Sequence, residues 1–187
     1  MVNLHLSHTA RINPPNASPV LTRAQVWAGL QRKIRFAQEF VPVIESCTVL
    51  EESSEGVVTR DVVFKKGMGA KDKAREVVTG YWPCWGGIGK EVNADGEAWT
   101  DEAIFLQVDF AQEDGSHVQN IVSDGASGGP EDLHMTYVFE FRLPEVKEGT
   151  AEAEKELQRL KGMAKVAVES SINVIRQMVK DGKIKEE

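Results

Sequence analysis

The stretch TAEAEKELQRLKGMAKVAVESSINVIRQMVK, residues 150–180, predicts one long amphipathic helix. Apolar and small residues recur in it every three or four positions, which places them on one face of a helix. This stripe consists of Leu157, Leu160, Ala164, Ala167, Val168, Ser171, Val174, Ile175 and Met178. Such a stripe is wide enough to cover one face of a β-sheet. The Asp181-Gly182 pair that follows is typical of a helix C-terminus.

The first 45 residues predict a strand followed by a bent pair of helices. The strand, of the edge type, covers Val2 to Ile12 and ends at a run of Asn and Pro residues. Thr22 and, three residues later, Gln25 form a capping box, which begins a helix. A short second helix is predicted from Phe36 to Phe40, because Pro42 cannot continue it.

From Cys47 onward the sequence has the alternating pattern of β-strands. The predicted strands are Cys47 to Glu52, Val57 to Lys65, Arg75 to Trp82, Ala103 to Phe110, Val118 to Ser123 and Leu133 to Leu143. The last is the clearest, because its odd-numbered residues are all apolar or aromatic and would share one face. The order of strand, helix pair, strands and long helix predicts an α+β fold. A hydrophobic cavity is expected where the sheet and the closing helix stand apart.

The composition is that of an ordinary globular protein with one domain, residues 1–187. The 22 basic and 29 acidic residues give a net charge of −7, which argues against a nucleic-acid partner because binding a phosphate backbone needs clustered Lys and Arg. No apolar run is long enough to span a membrane. Only two cysteines and no secretory signal are visible, so we expect a reduced, cytoplasmic setting. The oligomeric state stays open, with a homodimer as one option.

The glycine-rich motifs predict neither a nucleophile nor a nucleotide site. Residues 125–129 match G-x-S-x-G, but a strand follows where a nucleophile elbow needs a helix, so we predict a turn. Residues 67–71 and 86–90 lack the spacing of a phosphate loop. His5 and His8 would fall on opposite faces of a strand, and no paired Cys/His set is present. We therefore predict no metal site and no cofactor.

Aromatic side chains gather around residues 83–102, a segment that fits no strand pattern. They are Tyr81, Trp82, Trp85 and Trp99. Ligand pockets are mostly apolar with a few polar groups, and Tyr and Trp supply both features. Tyr81 and Trp82 could equally be plain core residues at a strand end, whereas Trp85 and Trp99 are better placed to form the rim of a pocket.

Three segments carry a resemblance to a known family. They are LTRAQVWAGLQRKIRFAQEFVPVIESCTVLEE (residues 21–52), VVTRDVVFK (residues 57–65) and MTYVFEFRLPEV (residues 135–146). They resemble the AtaL-like proteins of bacteria and fungal secondary-metabolite clusters, within the START/Bet v 1-like (SRPBCC) helix-grip superfamily. The resemblance implies a curved antiparallel sheet wrapped around a long C-terminal helix, with a short helix pair after the first strand and a hydrophobic cavity. The cavities of that superfamily serve in carriage, sensing and cyclisation of apolar small molecules. No catalytic residue is carried over by the resemblance.

The first functional hypothesis is a cofactor-independent cyclase or isomerase, including a pericyclic, Diels-Alder type of ring closure. Its substrate would be an apolar polyketide or terpenoid intermediate held in a reactive fold, with a hydrogen-bond donor or acid near a carbonyl. The candidate catalytic residues are Tyr137, Glu76 and Asn120. The candidate ligand-binding residues are Tyr81, Trp82, Trp85, Trp99, Leu106, Met135, Phe139 and Ser171. For Glu76 the alternative is that it points to solvent or pairs with Arg60 on a neighbouring strand.

The second hypothesis is a non-catalytic carrier or binding protein for a hydrophobic small molecule. A carrier returns its ligand unaltered, whereas a cyclase consumes one intermediate and sets the stereochemistry of the product. A third reading is a protein of this fold without a small ligand. That reading predicts a cavity too small for a drug-sized molecule.

Overall fold

A computed structural model describes residues 1–81 and 106–184, and every structural statement below refers to these residues. They form seven strands, two α-helices and one short 3-10 helix. In chain order the elements are β1 (Val2–Arg11), α1 (Arg23–Arg35), the 3-10 helix (Ala37–Glu39), β2 (Ile44–Glu52), β3 (Val58–Phe64), β4 (Lys73–Tyr81), β5 (Leu106–Gln112), β6 (His117–Asp124), β7 (Leu133–Leu143) and α2 (Ala151–Lys180).

The strands form one antiparallel sheet in the order β1-β7-β6-β5-β4-β3-β2. Strands β2 to β7 follow one another as neighbours, as short connections favour. Strand β1 instead pairs with β7 along its whole length, from Val2 opposite Leu143 to Arg11 opposite His134. The predicted edge position of β1 is confirmed. The prediction of an α+β fold with an antiparallel sheet and a long C-terminal helix is also confirmed.

The helix ends follow from local chemistry. The Thr22 side chain accepts from the Gln25 amide and the Gln25 side chain accepts from the Thr22 amide, so the predicted capping box is present. The predicted second helix is only the 3-10 turn Ala37–Glu39. Thr150 caps α2, and Gly182 follows it with a φ of 67°, the left-handed conformation that glycine tolerates after a helix.

Strand boundaries differ from the predictions where long-range pairing decides them. Strand β2 begins at Ile44, earlier than predicted, because Ile44 lies opposite Phe64 of β3. Strand β5 continues past Phe110 to Gln112, which pairs with Glu76 of β4. Its predicted start, residues 103–105, and the predicted end of β4 at Trp82 lie outside the described residues.

One hydrophobic core fills the space between a face of the sheet and the two helices. Helix α2 packs on β1 and β7, and α1 packs on α2. The close approach of the helices occurs where Gly29 of α1 meets the side chain of Ile175 of α2. Strand β7 alternates as predicted, with Leu133, Met135 and Tyr137 among its buried residues.

The G-x-S-x-G segment forms a turn, as predicted. The Ser127 hydroxyl donates to the Asp132 carboxylate, which also accepts from the Ser127 amide. The serine side chain therefore belongs to the turn. No helix of the described part of the chain combines the length and the apolar character that crossing a bilayer requires.

Candidate functional site

A pocket of about 80 Å³ lies between the inner face of the sheet and the two helices. Every strand from β2 to β7 contributes to its wall, α1 contributes one side chain, and α2 contributes two. The lining residues are Lys33, Val41, Val43, Ile44, Arg60, Phe64, Ala70, Lys71, Glu76, Phe110, Gln112, Val118, Asn120, Tyr137, Phe139, Phe141, Met163 and Ala167. The wall is mostly apolar, but it includes several buried polar side chains.

Strand register places these polar side chains in two rows across the sheet. In the first row, Arg60, Glu76 and Gln112 lie opposite one another on β3, β4 and β5. In the second row, Asn120 of β6 lies opposite Tyr137 of β7. Directly opposed residues have their Cβ atoms about 4.5–5.5 Å apart, so each row is a set of touching neighbours. Between the two rows runs an apolar row. It consists of Val78, Phe110, Val118 and Phe139.

The first row is held together by a buried ion pair. Arg60 donates from Nε and Nη2 to Oε2 of Glu76 at 2.9 and 2.7 Å, and Gln112 donates to Oε1 at 2.9 Å. The third Arg60 nitrogen, Nη1, donates to the backbone carbonyls of Lys33 and Ile34 at 3.0 and 2.6 Å. These carbonyls belong to the last turn of α1, where a helix has no backbone N–H groups left to donate to them. Arg60 thus ties the end of α1 to the sheet.

Lys33 reaches from α1 into the pocket and touches the second row. Its Nζ donates to the Tyr137 hydroxyl at 2.8 Å and lies 4.0 Å from the centre of the Tyr137 ring. Ser171 of α2 lies beside Tyr137 and lowers its pKa slightly, while the Ser171 hydroxyl donates to the Ala167 carbonyl. Lys33 and Ser171 thus contact Tyr137 from the two helices.

Burial changes the acid–base properties of this pair. It holds the pKa of Lys33 well below its usual value, and the nearby positive charge of Arg60 lowers that pKa further, although Glu76 acts in the opposite direction. Burial also raises the pKa of the Tyr137 hydroxyl, against a smaller lowering by Ser171. Burial therefore favours the neutral phenol of Tyr137 and the free amine of Lys33.

Asn120 is the least satisfied polar group of the pocket. Its side chain is buried, and neither its amide nitrogen nor its amide oxygen has a hydrogen-bond partner among the described residues. The Oε1 atom of Gln112 is in the same situation. An unpaired buried polar group costs about 1–3 kcal/mol, so two of them at one pocket indicate a place for a polar guest.

The volume limits what the pocket can enclose. At about 80 Å³ it has room for roughly two or three water molecules, well below the ~300–1,000 Å³ of pockets that enclose drug-sized ligands. Only the end of a larger molecule fits in it. The small volume alone agrees with the third hypothesis, a protein of this fold without a small ligand. The buried polar side chains argue against that hypothesis.

The structure brings together some of the residues that the sequence suggested. Tyr137, Glu76, Asn120 and Phe139 line the pocket, and Ser171 touches Tyr137. Glu76 faces the pocket and also pairs with Arg60. It does not point to solvent. With both oxygens engaged, Glu76 is not poised as a free acid or base.

Other suggested residues lie elsewhere. Leu106 and Met135 are fully buried in the core but do not line the pocket. Tyr81 is 51% exposed at the end of β4, because its position in the strand alternation is opposite to that of Glu76. The expectation that Tyr81 lines the pocket is therefore not met. Trp82, Trp85 and Trp99 lie outside the described residues.

Lys33 and Gln112 are site residues that the sequence reading missed. Lys33 follows Val26 and Leu30 at helical spacing, so a cation stands within an apolar stripe. Gln112 continues the inward alternation of Val108 and Phe110. A polar residue at a position where the pattern predicts an inward-facing side chain was the sequence signal that could have identified both. Among the described residues, no group of three or more His, Cys, Asp or Glu side chains could hold a metal ion.

Comparison with known proteins adds the family. No curated protein matches the chain. A family model described as acetylaranotin biosynthesis cluster protein L matches residues 6–182, which is nearly the whole chain. That family is part of a biosynthesis cluster for a secondary metabolite. The chain, with its buried polar pocket between sheet and helices, therefore belongs to the AtaL family.

Proposed function

We propose that this protein is a cofactor-independent cyclase or isomerase acting on an intermediate of secondary metabolism. The observation that carries the proposal is the buried side chain of Asn120, which has no hydrogen-bond partner among the described residues and lies beside Tyr137 in the wall of a mostly apolar pocket. A carrier of purely apolar ligands gains nothing from buried polar groups that lack partners. Membership of the AtaL family supports a natural-product substrate, of the polyketide or terpenoid kind.

The reacting end of the substrate would enter the pocket with an oxygen atom foremost. Asn120 can donate to that oxygen and accept from a neighbouring hydroxyl, since neither polar atom of its amide bonds to any residue within 1–81 and 106–184. The Tyr137 hydroxyl accepts from Lys33, and its own proton would be donated to a substrate carbonyl. Two donors on one carbonyl draw charge from it in the transition state of an isomerisation or ring closure.

Glu76 has a positioning role in this proposal. Arg60 and Gln112 hold both of its oxygens, and Arg60 fixes the end of α1 that carries Lys33. The ion pair thereby sets the distance between α1 and the sheet. The apolar row between the polar residues would hold the carbon skeleton close to the reacting atoms.

The sheet with a long helix across one face also supports placement in the START/Bet v 1-like helix-grip superfamily. One hydrophobic cluster extends from Val2 to Ile184, which supports a single domain over residues 1–187. Among the described residues that line the pocket, Lys71 is partly exposed, which supports access to the pocket from its side.

The test is turnover of candidate pathway intermediates. Purified protein is incubated with extracts that contain them, and product mass and retention time are followed together with tryptophan fluorescence. We expect a new isomeric product, lost or slowed at least about tenfold in Tyr137→Phe and in Asn120→Leu. Tyr81→Phe is the matched control, because Tyr81 is the only other tyrosine and lies exposed outside the pocket. Ligand bound but recovered intact would establish a carrier instead.

A further inference from the structure

Lys33 is a buried amine that forms no ion pair with any carboxylate of the described residues. Its side chain lies in the pocket wall, and within residues 1–81 and 106–184 no carboxylate comes within 4.0 Å of its Nζ. The nearby Glu76 is already shared by Arg60 and Gln112. The polar partner of Nζ is the Tyr137 hydroxyl. Desolvation disfavours an ammonium ion in this position and outweighs the attraction of Glu76. The rings of Tyr137 and Phe110 also attract a cation.

The surroundings of Nζ favour the free amine as a nucleophile. Burial and the charge of Arg60 both disfavour the protonated form. Desolvation in an apolar pocket, next to another cationic group, is the arrangement that activates lysines for reaction with carbonyl compounds. Rings stand beside the amine, with the centre of Phe110 5.8 Å from Nζ. The free space next to it is a small pocket that suits a carbonyl group and its immediate neighbours.

We infer that Lys33 forms an imine with an aldehyde or ketone carbon of the substrate, with Tyr137 as the proton carrier. The inference rests on the proposed function and narrows its substrate class to carbonyl compounds. Nζ attacks the carbonyl carbon, the π pair moves to oxygen, and loss of water leaves a C=N bond. Both hydrogens of that water come from Nζ and reach the oxygen through the Tyr137 hydroxyl, so no further reactant is needed. Addition of water reverses the step and releases the product.

Asn120 completes the arrangement. It lies opposite Tyr137 in the strand register, and its amide has no hydrogen-bond partner among the described residues. It can therefore hold the oxygen of the carbinolamine while Tyr137 transfers the proton. The imine would tie one end of the substrate into the pocket and activate the adjacent carbon atoms for isomerisation or ring closure.

The experiment uses propanal as the carbonyl probe and cyanoborohydride as the reductant at neutral pH. Reduction turns an imine into a stable propyl amine, and peptide mapping locates each propyl group. We expect Lys33 to be labelled at an initial rate at least about tenfold above Lys165, because a surface lysine is almost entirely protonated at this pH. Lys165 is a suitable internal reference, with a side chain that is 61% exposed.

Two further samples keep the outcome clear. Denaturant should bring Lys33 down to the rate of Lys165, because the pocket then no longer exists. Tyr137→Phe should slow the labelling of Lys33 and leave Lys165 unchanged. Equal rates for Lys33 and Lys165 in the folded protein, or no label on Lys33, would overturn the inference.

The two proposals can fail separately. If an isomeric product forms but Lys33 is never labelled, the imine proposal is wrong and the proposed cyclase or isomerase activity stands. Labelled Lys33 together with no turnover of any intermediate would remove the proposed function and leave a reactive lysine in the pocket.

Discussion

Replacing Glu76 by glutamine should destabilise the protein by about 3–5 kcal/mol, because it leaves the guanidinium of Arg60 buried without its counter-charge. The side chains of Arg60 and Glu76 are only 4% and 6% exposed. Glutamine keeps the shape of the site and one acceptor, so the loss reflects the charge. Arg60 would keep its bonds to the carbonyls of Lys33 and Ile34, which places the expected value at the lower end of the range.

A double-mutant cycle separates the pair from the other contacts of each residue. The single variants of the cycle are Arg60→Met and Glu76→Met. Each should be costly, since each leaves the opposite charge buried and unpaired. Arg60→Met combined with Glu76→Met removes both charges, so its loss should fall short of the sum of the single losses by about 2–3 kcal/mol. The stability of each variant is measured by urea unfolding, with circular dichroism as the signal and a common slope for all variants.

The matched control is the neighbouring pair on the other face of the same two strands. Asp61 and Arg75 lie directly opposite each other and form an ion pair at 2.7 Å, but both are exposed. Their cycle should show almost no coupling, because water screens exposed charges. Equal coupling in the two cycles, or a Glu76→Gln variant as stable as the original protein, would refute the assignment of Glu76 as a buried structural partner.

Three other predictions concern the helices and the buried lysine. Gly29→Ala should destabilise the protein by about 1–3 kcal/mol in urea unfolding, because the new Cβ would overlap Ile175, whereas Gly162→Ala, with open space around it, should stabilise it by about 0.5–1 kcal/mol. Thr22→Ala should cost about 1 kcal/mol through loss of the capping box, and an unchanged midpoint would contradict that role. The lowered pKa of Lys33 means that the unfolded chain binds more protons between that pKa and about 10.5, so stability should rise with pH across this window. Lys33→Met should remove that rise, which unfolding at several pH values will show.

The strand alternation was a reliable guide to which side chains point inward. It placed Tyr137 and Phe139 on the inner face of β7, where the structure has them. It also connected Glu76 with Val78 on one face of β4, which is correct. The same rule shows why Tyr81 could not join Glu76 in the pocket, since an odd separation in a strand reverses the face. Tyr81 and Glu76 were both predicted to line the pocket, although residues 76 and 81 of one strand must face opposite sides of the sheet.

The local signals for helices were equally informative, because they act over a few residues. The capping box at Thr22 and the apolar stripe of α2 depend only on neighbours within one or two turns. Helix α1 shows the limit of this information. Its stripe contains Lys33, and nothing in the local pattern tells whether a cation there turns to solvent or enters the core.

By itself the sequence determined the kinds of elements, their order and most of the inward-facing residues, because periodicity and capping are short-range properties of the chain. The tertiary structure alone decided which of those residues meet. Arg60 joins Glu76 through the pairing of β3 with β4, and Lys33 joins Tyr137 through a contact between residues 104 positions apart. Such long-range contacts depend on strand register and on how a helix packs on the sheet, and both are set by the packing of the whole core.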